Sequence, residues 1–146
     1  EWIIKGCNKL QGQYTSGTCS VSQKAAEAAY TTDQTCVEDM RKAFERRRDL
    51  IVTLAKDIKG LEVNVPEGAF YLFPKCSSFY GKSDGTHTIN NSTDFALYLL
   101  EVAHVATVGG DAFGDPDCFR MSYATSDDNI IEAMKRIKVA TEKLKF

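Results

Sequence analysis

No stretch of about 18 consecutive apolar residues occurs in the chain, so no membrane-spanning helix is expected. The opening residues lack a basic lead followed by an apolar run, and no secretory signal is read there. Excess positive charge is missing too: 18 Lys and Arg stand against 20 Asp and Glu, which disfavours a strongly basic nucleic-acid binder. The five cysteines are widely spaced, odd in number and without a C-x-x-C pair, which argues against a disulfide framework and a zinc site. His87 and His104 are too isolated to complete a metal cluster, so no metal is expected. Reduced thiols in a cytoplasmic protein are the plain reading. A starter Met is also lacking. Glu1-Trp2-Ile3-Ile4 enters at once an apolar helical pattern with no N-cap, and the chain is expected to be a piece of a longer protein.

What is present describes a globular chain. With 43% hydrophobic and 26% charged residues there is enough apolar side chain for a core and too little charge density for disorder. The length fits one domain, able to bury roughly two-thirds of its unfolded surface.

The apolar period is helical at residues 2–12 and again at 20–30, with the polar stretch from Gln13 to Thr18 read as a loop. Thr35-Cys36-Val37-Glu38 has the form of a capping box. Behind it Val37, Met40, Phe44, Ile51, Leu54 and Ile58 mark one face of a long connecting helix over about 36–59, stopped by Gly60. The period then changes to two. Leu61, Val63 and Val65 alternate with polar residues, Pro66-Glu67-Gly68 turns, and Ala69–Phe73 predicts a second strand. Residues 75–91 are polar enough for a surface excursion, and Ser92-Thr93-Asp94 is expected to cap another helix. A short strand at 105–108, a glycine-rich loop at 109–117 and a strand at 118–123 precede a last helix capped by Ser126. Helices on one face of a small, mostly antiparallel sheet give an α+β architecture.

Arg120 is the most informative single residue. Alternation along Cys118–Tyr123 puts Phe119, Met121 and Tyr123 on one face, with Arg120 on the other beside Cys118 and Ser122. A guanidinium with room to extend can present two parallel N–H groups to a carboxylate, which Lys cannot copy. A solvated strand arginine and a structural ion pair are the alternatives. The Gly109–Gly114 loop matches neither the P-loop nor the dinucleotide fingerprint, and a tight strand connection is its simplest role. Thr15 and Ser16 read as helix-capping hydroxyls, Arg46-Arg47-Arg48 as a solvated helix face, and Phe70, Tyr71 and Phe73 as packing. No Ser/His/Asp set, Cys/His set or carboxylate pair can be assembled.

Val105-Ala106-Thr107-Val108-Gly109-Gly110-Asp111-Ala112-Phe113-Gly114, followed by Phe119-Arg120-Met121-Ser122-Tyr123-Ala124-Thr125-Ser126, resembles the C-terminal signature of class I aminotransferases. Pro66–Pro74 resembles a hairpin of the same family, and Gln11–Gly17 with Val21-Ser22-Gln23 resembles the segment after its cofactor lysine. The likeness runs over essentially the whole chain. It implies the small C-terminal domain of the aspartate aminotransferase fold. The activity implied is pyridoxal 5'-phosphate-dependent transfer of an amino group between an amino acid and a 2-oxo acid, by a cytoplasmic homodimer. By the same resemblance Arg120 takes the substrate α-carboxylate, Phe70 lies near the substrate pocket, and Thr15 and Ser16 lie near the cofactor site of the partner subunit. The family commonly has Pro-Gly where this chain has Gly109-Gly110, which puts the rigidity of the loop in question.

The family's Schiff-base lysine belongs to a Ser-Lys motif followed by a glycine and an arginine. No such motif occurs here, and the resemblance places it upstream of Glu1. No catalytic residue is therefore expected within the chain, which alone should be inactive and bind pyridoxal phosphate poorly. Transamination of another amino acid (alanine, an aromatic or kynurenine) remains compatible with these residues, as does a non-enzymatic α+β module that binds a small molecule or dimerises.

Overall fold

The computed structural model describes residues 1–146. They form two compact units, Glu1–Asp39 and Met40–Phe146, and the division falls inside one helix.

The first unit holds α1 (Trp2–Tyr14), α2 (Ser20–Thr31) and the start of α3 (Thr35–Lys56). Neither α1 nor α2 buries a single residue. Their support is local, as in the Glu1–Lys5 and Lys24–Glu27 ion pairs at 2.7 and 2.6 Å. Pairs of that spacing are worth a few tenths of a kcal/mol at most. α1 runs two residues past the predicted stop, because an exposed Gly12 costs only propensity while nothing forces the chain to turn. The capping box at Thr35 does not form. The Thr35 hydroxyl donates to the Asp33 carboxylate instead, and the Glu38 N–H is taken by the Gln34 carbonyl.

In the second unit the later turns of α3 bury Ile51, Val52 and Ala55. The helix ends at Lys56, short of the predicted 59, and Gly60 is not its stop but lies in the turn beyond it. There φ is +99° and a Cβ would lie 2.7 Å from the Ser78 Oγ and 2.8 Å from the Phe79 ring, so both conformation and space require glycine. A three-stranded antiparallel sheet follows, made of β1 (Tyr71–Leu72), β2 (Val108–Gly109) and β3 (Phe119–Ser122) in the order β1-β3-β2. Its registers are Tyr71 opposite Ser122, Leu72 opposite Met121, Val108 opposite Arg120 and Gly109 opposite Phe119. α4 (Ser92–Ala103) packs on β2 and on α5 (Asp127–Thr141), where the Tyr98 hydroxyl donates to the Ala140 carbonyl at 2.8 Å. The fold is α+β, as expected.

Three elements depart from the sequence reading. Leu61–Val65 forms no strand: only Glu62 bridges to Lys75, because alternation signals half-burial and does not by itself supply a pairing partner. The strand at 105–108 shrinks and shifts to Val108–Gly109. Residues 75–91 are more than a surface excursion, since Cys76, Phe79 and Ile89 are buried in the core. The Phe79, Phe95 and Phe119 rings follow one another at centroid distances of 5.0 Å. Each such fully buried ring contributes about 1.5–3 kcal/mol over an exposed one. No helix is long and apolar enough to cross a membrane.

Candidate functional site

β3 is the central strand, so its alternation is enforced from both sides. Phe119 and Met121 are buried in the core while Arg120 stands half-buried on the other face. The guanidinium carbon lies over two rings, 4.0 Å from the Phe113 centroid and 4.3 Å from that of Tyr71. Those rings are its close partners, and no carboxylate stands within ion-pairing distance. Neither the solvated arginine nor the structural ion pair describes this arrangement. The chain holds a charged, planar fork between aromatic faces and leaves its N–H edges without an acceptor. Cation–ring contacts of this kind are worth about 0.5–2 kcal/mol each.

Both rings are themselves held. Tyr71 sits on β1, with the Phe70 ring 4.5 Å away and Phe70 in turn 6.0 Å from Phe44 of α3. Phe113 ends the 3-10 turn Gly110–Phe113 and meets the Phe73 ring edge-on at 6.2 Å. That turn is fixed where it begins. The Gly110 N–H donates to the buried Ser92 hydroxyl at 3.0 Å, and a Cβ on Gly110 would come within 2.1 Å of the Asp115 carbonyl oxygen and 2.3 Å of that of Cys118. Gly109 has φ −59°, which a proline could adopt, but its Cβ would lie 2.7 Å from the Thr93 hydroxyl and 3.1 Å from Thr93 backbone. Glycine at this position therefore belongs with the close approach of α4.

Phe70 is partly exposed and lines an open cavity of about 380 Å³ with Arg41, Phe44, Arg48, Glu67 and Tyr123. Phe70 and Arg120 are thus brought into one neighbourhood through Tyr71. Thr15 and Ser16 belong to the first unit and are exposed. Thr15 closes α1 with its N–H on the Gln11 carbonyl, and Ser16 takes φ +60° in the connection to α2. Arg46 and Arg47 are not a bare solvated face: both reach Asp127 at the start of α5, at 3.1 and 3.3 Å, and hold its carboxyl below the usual range.

Nucleophilic chemistry finds no support in the buried thiols. Burial pushes Cys76 up to about 12, and burial together with a hydrogen bond to Asp115 pushes Cys118 up to about 11, so both stay protonated near neutral pH. No group of three His, Cys, Asp or Glu side chains is arranged to hold a metal ion. What the site can do is receive a planar anion at the open edge of Arg120. Sequence reasoning found Arg120 but missed Tyr71 and Phe113 as its flanks. Both rings precede Arg120 in the chain, and only the strand order β1-β3-β2 brings them to it.

The whole chain is similar to proteins of one family. The sequence profile of the family "Aminotransferase class I and II" matches residues 1–137. A bifunctional aspartate aminotransferase and glutamate/aspartate-prephenate aminotransferase of Petunia hybrida is 47% identical over 98% of this chain and 31% of its own length. An aspartate aminotransferase of Rhizobium meliloti (strain 1021) is 45% identical over 97% of this chain and 35% of its own. The crystal structure of an aspartate aminotransferase from Rhizobium meliloti superposes with a TM-score of 0.89 at 44% identity, over 97% of this chain and 36% of that one. The Thermus thermophilus aspartate aminotransferase solved with maleate gives 0.79 at 31% identity, over 94% of this chain and 34% of that one. The chain spans about a third of the length of these relatives.

Proposed function

This chain belongs to the class I and II aminotransferases, and we propose that it is the small C-terminal, carboxylate-binding domain of a longer aspartate-type enzyme. The reaction is transfer of an amino group between an amino acid and a 2-oxo acid, in a cytoplasmic homodimer. The single observation that carries the reading is Arg120, held between Tyr71 and Phe113 without a carboxylate of its own. An amino acid and a 2-oxo acid share one group that such a fork recognises in both directions of the reaction, the carboxylate next to the reacting carbon. Two parallel N–H···O bonds fix its position and its plane, and so aim the reacting carbon. The flanking rings keep water from the faces of the cation, which strengthens the pair. Phe70, beside Tyr71 and half open, is placed to touch the remainder of the substrate.

The residues present do not by themselves fit pyridoxal phosphate, the group the family resemblance implies. The Gly110, Gly114 and Asp115 N–H groups are already bonded, to the Ser92 hydroxyl and to the Asp111 and Gly110 carbonyls, so the glycine loop offers no cradle for a phosphate there. In the complete enzyme the cofactor supplies the electron sink and the carrier for the amino group. The part assigned to this chain is to bind and orient substrate, with Thr15 and Ser16 of the first unit assigned to the partner subunit's cofactor site.

The test is Arg120→Lys in the full-length enzyme. A point charge in place of the fork should raise KM for the amino acid and lower kcat, with kcat/KM falling about 100-fold or more. Unchanged kinetics with both dicarboxylic and monocarboxylic amino acids would sink the assignment.

A further inference from the structure

The Arg120 guanidinium is approached on two sides, by Tyr71 from β1 and by Phe113 from the turn that follows β2, the strands that flank β3. With rings at 4.3 and 4.0 Å over the cation, the way left for a ligand is along the plane of the fork. We propose that this ring pair makes Arg120 selective for the shape of the acid, accepting a planar carboxylate and rejecting a tetrahedral sulfonate or phosphonate. Phe113 and Tyr71 are then positioning residues that set specificity. The inference rests on Arg120 being the carboxylate site.

The physical reason lies in where the oxygens go. Both oxygens of a carboxylate can lie in the plane of the guanidinium, each on one N–H. A tetrahedral acid that places two oxygens there carries its third out of the plane, toward one of the rings. The face of an aromatic ring bears the negative end of its quadrupole, so it attracts the arginine and repels an anionic oxygen. The arrangement therefore favours the cation and disfavours the third oxygen with the same atoms. Phe113 is the more decisive ring, since it sits closer, and it owes its place to a turn whose first residue has no room for a side chain.

The experiment uses competitive inhibition of the full-length enzyme by butanoate and by propane-1-sulfonate, monoanions of matched length with one acid group each. Phe113→Leu removes the ring face and keeps an apolar side chain; Phe113→Tyr keeps the face. The parent should bind butanoate about tenfold or more tightly than the sulfonate. Phe113→Leu should narrow that ratio about three- to tenfold and raise KM for the amino acid more than it lowers kcat, while Phe113→Tyr keeps the parent ratio. A merely structural role weakens both anions together and leaves their ratio at the parent value, and that result overturns the proposal. Arg120→Lys separates the two readings. If it leaves KM and butanoate inhibition unaltered, the carboxylate site itself is misplaced. If it abolishes both while Phe113→Leu leaves the ratio intact, the shape selection alone falls.

Discussion

Ser92, the first residue of α4, is fully buried and accepts the N–H of Gly110 at 3.0 Å, so one hydroxyl joins a helix to the turn that carries Phe113. Ser92→Ala leaves a buried N–H without a partner, which costs about 1–3 kcal/mol. Urea unfolding should show that loss, with the effect extending to the turn. A midpoint equal to the parent's contradicts it.

Gly110 and Gly68 give opposite expectations for the same change. A Cβ at Gly110 meets two carbonyl oxygens at 2.1 and 2.3 Å, and both belong to backbone that cannot rotate away. Gly110→Ala should destabilise by about 3 kcal/mol or more. At Gly68 nothing lies within 4 Å, and Gly68→Ala should leave the thermal midpoint within a degree or two of the parent. Equal midpoints for the two variants would show that the turn relaxes freely.

The three predicted helix caps fared differently, and the reason bears on what a sequence reveals. At α4 the cap is Asn91, one residue before the predicted Ser92, and its side chain accepts the Asp94 N–H at 2.8 Å. At α5 the Ser126 side chain does accept the Asn129 N–H, and the first turn carries Asp127 and Asp128. At α3 the same kind of motif is present, but Gln34 reaches the first turn one residue earlier and the Thr35 hydroxyl turns to Asp33. Ser126→Ala should cost about 1 kcal/mol and Thr35→Ala close to nothing, measured by thermal unfolding.

The same contrast runs through the fold. Long periodic elements were legible: α3 spans 22 residues against the predicted reach of about 36–59, and the faces of Arg120 and Phe119 came out of simple alternation. The two-residue strands were located but not bounded, Tyr71–Leu72 inside the predicted 69–73 and Val108–Gly109 at the end of the predicted 105–108, because their extent depends on which distant segment arrives to pair. Leu61–Val65 carries a better strand pattern than Tyr71–Leu72, yet Tyr71–Leu72 lies against the central strand and Leu61–Val65 has only one bridge. The aromatic flanks of Arg120 were hidden for the same reason. Nothing in the local pattern says that Phe113 and Tyr71 converge on one cation; the order β1-β3-β2 does.

α1 and α2 contain 13 and 12 residues and no buried side chain. Helices of that length are marginal in water without tertiary packing. In the chain as it stands, amides within these two helices should exchange with solvent far faster than those of Ile51, Phe119 and Ile137, which belong to the core. Comparable protection across both units, read by hydrogen exchange, would show that the first unit has support beyond its own ion pairs.

His87 supplies the clearest pH dependence. Its Nδ1 lies 3.2 Å from the Asp84 carboxylate and its Nε2 is 2.9 Å from that of Glu101, so the loop before α4 is tied to the helix by one imidazole. The hydrogen bond to Asp84, then that to Glu101, raises the His87 pKa above its ordinary 6.5. Asp84 moves the other way, to about 2 from 3.8, chiefly because its carboxylate accepts the His87 and Thr86 backbone N–H groups. The signs follow from linkage. The folded chain binds the histidine proton more tightly than the unfolded chain, so this stabilisation is complete below pH 6.5 and fades as pH rises through the higher folded value. The Asp84 contribution is complete above 3.8 and fades as pH falls toward 2. The clamp is therefore strongest between about pH 4 and 6.5. His87→Gln should lower the melting temperature most at pH 5, with the gap to the parent shrinking steadily toward pH 9. The groups are partly open to solvent, so the gap should also narrow in high salt. Parallel melting curves across that range, with a constant gap, would mean that His87 acts through its shape and its contact with Tyr98 and not through its charge.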